Sequence, residues 1–269
     1  MSLFHFLSYS FMQRAVIAGS FIAALCAILG VFLVLRRLSL IGDGLSHVTF
    51  GALALGLFFK VTPIYVALPL VVLSSLGIIK LTDAQRIYGD AAIGIVSALG
   101  IAIGILLVSI TKGFNIDLFS YLFGNILAIT KAEVWMSIIL AITVIMIVAF
   151  FYYDLVVVTF DEECAQAEGI NTKAVNKILV VLTAVTVVLA MKVVGIMLVS
   201  ALLILPTVTA LQIAKGFRMT LLAAVIIAVV SVWIGITLSF FLDWPSGATI
   251  VLVNFTLFII SYLYRKIKK

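Results

Sequence analysis

The sequence predicts an all-α polytopic membrane protein with roughly eight or nine transmembrane helices. Hydrophobic residues make up 65% of the 269 residues and charged residues only 10%, more apolar surface than a soluble fold of this size can cover. Apolar runs of about 18 or more residues, the length that crosses a bilayer as a helix, recur along the chain. Because no polar stretch is longer than a loop, we expect one transmembrane domain over residues 1–269.

The apolar runs define the predicted elements. Run 114–129 is short and contains Gly124 and Asn125, so it is predicted to be a re-entrant or interfacial helix and not a span. The predicted spans are 12–35, 41–59, 63–80, 91–111, 133–153, 177–192, 194–214, 219–241 and 247–264.

The basic residues predict the orientation. With the N-terminus outside, most of the 17 lysines and arginines fall at the cytoplasmic ends of the spans, as the positive-inside rule requires. The basic tail 265–269 is then cytoplasmic. The net charge of +6 therefore reflects topology and does not indicate nucleic-acid binding. Met1 to Ser10 lack the basic start and cleavage site of a signal peptide, so none is expected.

Asp43 and His47 are the candidate metal ligands. In a helix, the i, i+4 spacing places the carboxylate and the imidazole on one face, where together they offer oxygen and nitrogen ligands to a divalent metal. The alternative is structural: Asp43 would be the N-cap of the second span, with His47 one turn further in. The two cysteines, Cys26 and Cys164, suggest neither a disulfide framework nor a thiolate cluster.

The most polar internal segment, 154–176, is predicted to be a cytoplasmic loop that contains a short helix. Asp161 and Glu162 supply negative charge where that helix begins. Ala165 is a good helix former, and Gly169 is a natural stop. The segment is either a docking helix for a cytoplasmic partner or a solvated connection between two spans.

Pro206 lies inside the predicted span 194–214. One reading is a simple kink, tolerated where neighbouring groups satisfy the freed carbonyl. The other is a hinge or broken helix that lines a transport pathway. The residues alone leave both readings open.

Five stretches, distributed over nearly the whole chain, carry a family resemblance. The first combines the paired basic residues at 36–37 with Asp43 and Ser-His at 46–47, and the last spans 194–207. The chain resembles the membrane permeases of bacterial zinc/manganese ABC importers. The other three stretches are Asp-Ala-Ala-Ile-Gly-Ile at 90–95, Leu-Phe-Gly within 121–127, and Phe-Asp-Glu-Glu with Ala165 and Gly-Ile at 160–170.

The resemblance implies a type II ABC importer-like permease in a bacterial cell (inner) membrane, surrounded by lipid and paired with a second copy of itself. It implies cytoplasmic ATP-binding subunits that dock on 161–169, and an external metal-binding protein that delivers the ion. The transported metal, zinc or manganese, would contact Asp43 and His47, and no cofactor would be bound permanently. Coupling to the ATPase would fall on Asp161, Glu162, Ala165 and Gly169.

Two other functional classes, an enzyme and a gradient-driven transporter or channel, are alternatives. The chain has no Walker A motif, so it is not expected to be an enzyme, and any ATP must be hydrolysed on separate subunits. A gradient-driven secondary transporter or channel is the main alternative, but that class more often shows inverted repeats and several acidic residues at mid-membrane. An intramembrane metalloprotease would need His-Glu-x-x-His, which is absent.

Overall fold

The computed structural model describes residues 9–85, 88–110 and 129–267. These residues form helices and no β-strand, which confirms the predicted all-α class. In chain order the helices are α1 (Ser10–Leu35), α2 (Ile41–Phe58), α3 (Pro63–Gln85), α4 (Gly89–Ile110), α5 (Lys131–Phe150), α6 (Tyr152–Phe160), α7 (Glu162–Ala167), α8 (Thr172–Val194), α9 (Ile196–Ile213), α10 (Phe217–Leu242) and α11 (Ser246–Ile267).

Eight of the described helices, α1 to α5, α8, α10 and α11, are long and apolar enough to cross a membrane. Helix α9 contains a shorter apolar stretch, Leu198–Ile213. Each of the nine predicted spans falls on one of these nine helices. The predicted re-entrant segment 114–129 lies, except for Ile129, outside the described residues. Exposed isoleucines and leucines on α4 and α5 fit a hydrocarbon surrounding.

The structure differs from the predicted elements at the end of α5. The predicted span 133–153 ends early, at Phe150, and a separate helix, α6, covers Tyr152–Phe160. The loop predicted from residue 154 is therefore helical at both ends, since α8 already begins at Thr172. Asp154 lies in the first turn of α6, where a carboxylate favours the positive end of the helix. Its charge marked a helix start and not a loop.

The described chain divides into two compact units. One unit comprises described residues from Met1–Val34, Phe119–Ile147 and Ala190–Lys269. The other comprises described residues from Leu35–Leu118 and Val148–Leu189. Both candidate sites from the sequence, the metal pair and the 161–169 segment, belong to the second unit.

In the first unit, α9, α10 and α11 pack against one another. Helices α10 and α11 approach closely at Gly235, where a Cβ would lie 2.7 Å from the Cα of Ile250. The backbones of α1 and α9 approach even more closely than those of α10 and α11. A Cβ at Gly30 would lie 2.0 Å from the carbonyl oxygen of Leu203. Without a hydrophobic force between helices in lipid, such small-residue contacts are a main source of packing energy.

In the second unit, α2 packs against both α3 and α4. Gly44 and Gly51, two turns apart on α2, face Ile93 and Gly100 of α4. A Cβ at Gly51 would lie 2.3 Å from the carbonyl oxygen of Gly100. This contact holds α2, the helix that carries Asp43 and His47, in a defined position.

Candidate functional site

Asp43 and His47 come together on α2 as the spacing predicts. The Nε2 atom of His47 lies 3.5 Å from the Oδ2 atom of Asp43. Both side chains are partly exposed, His47 by 34% and Asp43 by 51%. The two groups are therefore accessible in the single subunit.

The alternative role for Asp43, an N-cap, is wrong. Helix α2 has Leu40 at the N-cap position, without a side-chain capping bond. Asp43 is the third helical residue, inside the first turn. At this position its charge still favours the positive end of the helix, but its carboxylate is left available for other contacts.

The contact of α2 with α4 explains which way the pair faces. Gly44, Val48 and Gly51 contact α4, and Asp43 and His47 each precede one of these residues by one position. Successive residues of an α-helix are about 100° apart around the axis. The packing against α4 therefore directs the carboxylate and the imidazole to a different face of α2.

The separation of the two ligand atoms fits a metal ion. Zinc binds His nitrogen and carboxylate oxygen at about 2.0–2.2 Å, so at a tetrahedral angle the two ligand atoms lie about 3.3–3.6 Å apart. The observed distance is 3.5 Å. No group of three or more His, Cys, Asp or Glu side chains able to hold a metal occurs among residues 9–85, 88–110 and 129–267. Within these ranges one subunit offers two ligands, fewer than the four of a closed zinc site.

The short helix predicted after residue 160 is present as α7. Asp161 is its N-cap, in extended conformation, and its Oδ1 accepts a hydrogen bond from the backbone N–H of Cys164 at 2.9 Å. Glu162 and Glu163 occupy the first turn. Ala165 is fully buried, whereas the other residues of α7 are exposed. The helix thus rests on the protein at Ala165 and presents its acidic side outward.

Gly169 ends this segment in the way the sequence predicts. It has a φ of +84°, which L-residues with a Cβ rarely adopt. Its N–H bonds to the carbonyl of Gln166, and the N–H of Ile170 bonds to the carbonyl of Ala165. This pair of bonds is a Schellman motif. A Cβ at Gly169 would meet nothing within 4 Å, so backbone conformation and not space selects glycine here.

Side-chain hydrogen bonds tie the end of α7 to its neighbours. The hydroxyl of Tyr153 on α6 donates to Glu168 at 3.1 Å, and Gln166 donates to the hydroxyl of Thr172 on α8 at 3.2 Å. The hydrogen bond to Glu168, assisted by the charge of that carboxylate, raises the pKa of Tyr153. The segment is therefore held in one position between α6 and α8.

A further set of contacts was not predicted from the sequence. Arg36, one of the paired basic residues at 36–37, donates through Nη2 to the side-chain oxygen of Asn176 on α8. Asn176 in turn donates to Glu162 on α7 at 3.2 Å. Burial lowers the pKa of Arg36, and the charge of Glu162 opposes that shift. The only sequence signal was a polar Asn in the first turns of an apolar helix. Such a residue does not indicate which distant residues it contacts.

Pro206 lies inside α9, and its side chain is buried. The helix runs through it without interruption from Ile196 to Ile213. The chain does break at Gly195, which has a φ of +85° and separates α8 from α9. The break thus lies three turns before the proline, close to the boundary between the predicted spans 177–192 and 194–214.

Comparison with known proteins shows the family. A model described as the ABC 3 transport family matches residues 8–265. The chain belongs to the ABC 3 transport family. The manganese transport system membrane protein MntC of Listeria monocytogenes is 36% identical over 258 residues, covering 96% of this chain and 92% of that protein. The high-affinity zinc uptake system membrane protein ZnuB of Haemophilus influenzae is 32% identical, covering 94% and 97%.

A solved structure agrees with this assignment. A chain of PsaBC from Streptococcus pneumoniae, in complex with Fab, superimposes with a TM-score of 0.87 at 28% identity, over 99% of both chains. The recognition as a permease of the zinc/manganese ABC importer type and the predicted fold class are confirmed. As an ABC 3 member, the chain is the membrane subunit of a transporter.

Proposed function

We propose that this ABC 3 permease imports a divalent transition metal, zinc or manganese, as a pair of identical subunits powered by separate cytoplasmic ATPases. An external metal-binding protein delivers the ion, and the pathway opens alternately to the two sides. The C-terminal tail lies in the cytoplasm, together with α7. The names of the relatives, one a manganese and one a zinc transport protein, support this substrate class.

The observation that carries the proposal is the pair Asp43 and His47, with ligand atoms 3.5 Å apart and partly exposed. Two ligands per subunit hold an ion incompletely, and two facing subunits bring two carboxylates and two imidazoles to one pathway. A transport site must release its ion, so moderate binding with room for water suits this task better than a closed thiolate site.

Coupling to ATP hydrolysis falls on α7 and its flanks: Asp161, Glu162, Ala165 and Gly169. The helix is capped at both ends and exposed on its acidic side, so an ATPase subunit can push on it as a rigid body. Pro206 acts as a hinge of the pathway. Because proline has no backbone N–H, α9 lacks one helical hydrogen bond at this point and bends more easily.

The test of the metal site compares variants in the complete transporter. Asp43→Asn and His47→Ala, each produced with the ATPase subunits and the binding protein, are assayed for uptake of radioactive zinc and manganese. Asp90→Asn is the matched control, because Asp90 is also a first-turn aspartate but has glycine, not histidine, four residues later. The two site variants are expected to lose most of the uptake, and the control is expected to retain it.

Two outcomes would contradict the proposal. Normal uptake in both site variants at equal expression would remove the metal role of the pair. Uptake that continues without ATP, or without the ATPase subunits, would instead support a gradient-driven transporter.

A further inference from the structure

Three polar side chains form a continuous path from the end of α1 to α7. Arg36 donates to the side-chain oxygen of Asn176, and the side-chain nitrogen of Asn176 donates to Oε1 of Glu162 at 3.2 Å. Arginine can only donate, and an ionised carboxylate can only accept. The oxygen of Asn176 must therefore face Arg36, and its nitrogen must face Glu162. The side chain between them must therefore contain both a hydrogen-bond donor and an acceptor.

The path compensates a charge that would otherwise be costly. Nη1 of Arg36 is buried and has no hydrogen-bond partner among the described residues. A buried charge is tolerated only when it is paired and hydrogen-bonded. Asn176 supplies the hydrogen bond and Glu162 the opposite charge, so displacement of α7 changes the environment of Arg36 directly.

A cavity beside the path leaves room for movement. It has a volume of about 390 Å3 and is lined by all three side chains, together with Ile41 at the start of α2. At this point no tightly packed apolar side chains of the described residues fill the space between α7 and α2. Such packing would transmit a displacement of α7 by itself. The hydrogen bonds of Asn176 with Arg36 and Glu162 provide the connection instead.

Only a short connection separates Arg36 from the metal pair. Residues 36–40 join α1 to α2, and Arg37 has a φ of +59°, so the turn is tight. It is closed by a hydrogen bond from the N–H of Ile41 to the carbonyl of Leu38 at 3.0 Å. Asp43 follows in the first turn of α2. A shift of Arg36 is thus passed to the helix end that carries the metal pair.

We propose that Asn176 is a positioning residue that transmits movement of α7, through Arg36, to the start of α2. This inference rests on the proposed function, in which α7 receives the force of the ATPase and α2 holds the metal. It adds a defined route between the two, composed of Glu162, Asn176 and Arg36.

The experiment measures metal imported per ATP hydrolysed in the full complex, reconstituted in liposomes with zinc or manganese as the probe. Asn176→Asp keeps an acceptor for Arg36 but cannot donate to Glu162 and repels it. We expect the import-to-hydrolysis ratio to fall about tenfold, a factor that corresponds to about 1.4 kcal/mol, while basal hydrolysis and assembly persist. Asn176→Ala, which removes both hydrogen bonds without adding a charge, is expected to lower the ratio similarly.

A second variant tests whether continuity of the path matters. In Asn176→Asp combined with Glu162→Gln, the new amide can donate to the new carboxylate, so the path is complete again with one bond reversed. Because Glu162 also belongs to the proposed coupling segment, the reference is Glu162→Gln alone, whose amide oxygen still accepts from Asn176, and we expect the ratio of the double variant to recover to that of this reference. Thr172→Val is the matched control, because it breaks the 3.2 Å hydrogen bond to Gln166, which also joins α7 to α8 but does not reach Arg36. Its ratio is expected to stay unchanged.

The outcomes separate this inference from the function on which it rests. If the unmodified complex imports metal and Asn176→Asp keeps the same ratio, or if the double variant does not recover, the route is wrong. If import, hydrolysis and thermal stability fall together at a constant ratio, Asn176 is only a structural support, and the inference fails. If the unmodified complex shows no ATP-dependent import of either metal, the proposed function fails and this inference with it.

Discussion

Gly100 of α4 lies directly against the backbone of α2 at His47. A Cβ at Gly100 would be 3.0 Å from the carbonyl oxygen of His47 and 2.6 Å from the Cα of Val48. No real Cβ approaches backbone so closely, so only glycine allows this crossing. The position of the candidate metal ligand on α2 is therefore set by a residue that bears no side chain.

Gly100→Ala is expected to push α2 away from α4. The overpacking should cost about 1–3 kcal/mol and reduce metal uptake, because the carboxylate and imidazole move together with the helix. The measurements are thermal unfolding in detergent and uptake at equal expression. Gly94→Ala in the same helix is the control, because a Cβ there meets nothing within 4 Å. It should gain up to about 1 kcal/mol from helix propensity and transport normally. Equal effects of the two changes would contradict this account.

Gly30→Ala is expected to disrupt the first unit. Its Cβ would meet the carbonyl oxygen of Leu203 at 2.0 Å, and backbone cannot give way as a flexible side chain does. We expect loss of folded protein, or a destabilisation of at least the 1–3 kcal/mol typical of overpacking. Size-exclusion profiles and thermal unfolding in detergent measure this. Gly77→Ala, where a Cβ meets nothing within 4 Å, serves as the control, and an unchanged Gly30→Ala profile would refute the close approach.

Substitution of Gly169 is expected to uncouple transport while membrane insertion persists. The site has open space but a φ of +84°, so valine or alanine must pay roughly 1–2 kcal/mol for the left-handed conformation or break the Schellman motif. Asparagine, which visits this region more readily, should retain most coupling. The measurement is metal-stimulated ATPase activity of the complex. Equal loss with asparagine and alanine would show that the left-handed backbone is not the reason for glycine.

Asp161→Ala is expected to loosen the start of α7. Loss of an N-cap costs about 0.5–2 kcal/mol, and this helix has only six residues. Hydrogen exchange at the amide of Cys164, which bonds to Asp161 at 2.9 Å, should accelerate, and coupling should weaken. Asp161→Ser, which can also cap, should restore protection. If exchange at Cys164 is the same in both variants, capping does not hold this helix.

The helices and the two ends of α7 were predictable because they depend on local signals. Apolar runs reveal spans wherever the bilayer is the solvent. Asp161 and Gly169 mark their helix ends by their own chemistry, through a side-chain acceptor and a permitted positive φ. The pairing of Asp43 with His47 follows from the pitch of a single helix. None of these features needs a contact between distant segments.

The path through Arg36, Asn176 and Glu162 could not be predicted in this way. Its first two members are 140 positions apart, and their residue types are common at the ends of spans. The helical start of segment 154–176 was missed for a different, local reason. The charge of Asp154 suggested a loop, whereas in the structure it stabilises the first turn of α6.

The sequence by itself determined the class of this protein, its spans, its family and the pairing of Asp43 with His47 on α2, because composition, helical pitch and motif order are local properties of the chain. Tertiary structure decided which face of α2 carries those two side chains, how closely Gly100 lets α4 approach, and which side chains connect α7 to Arg36. These depend on distances between segments remote in sequence, which are set by packing of whole helices and not by the residues of any one of them.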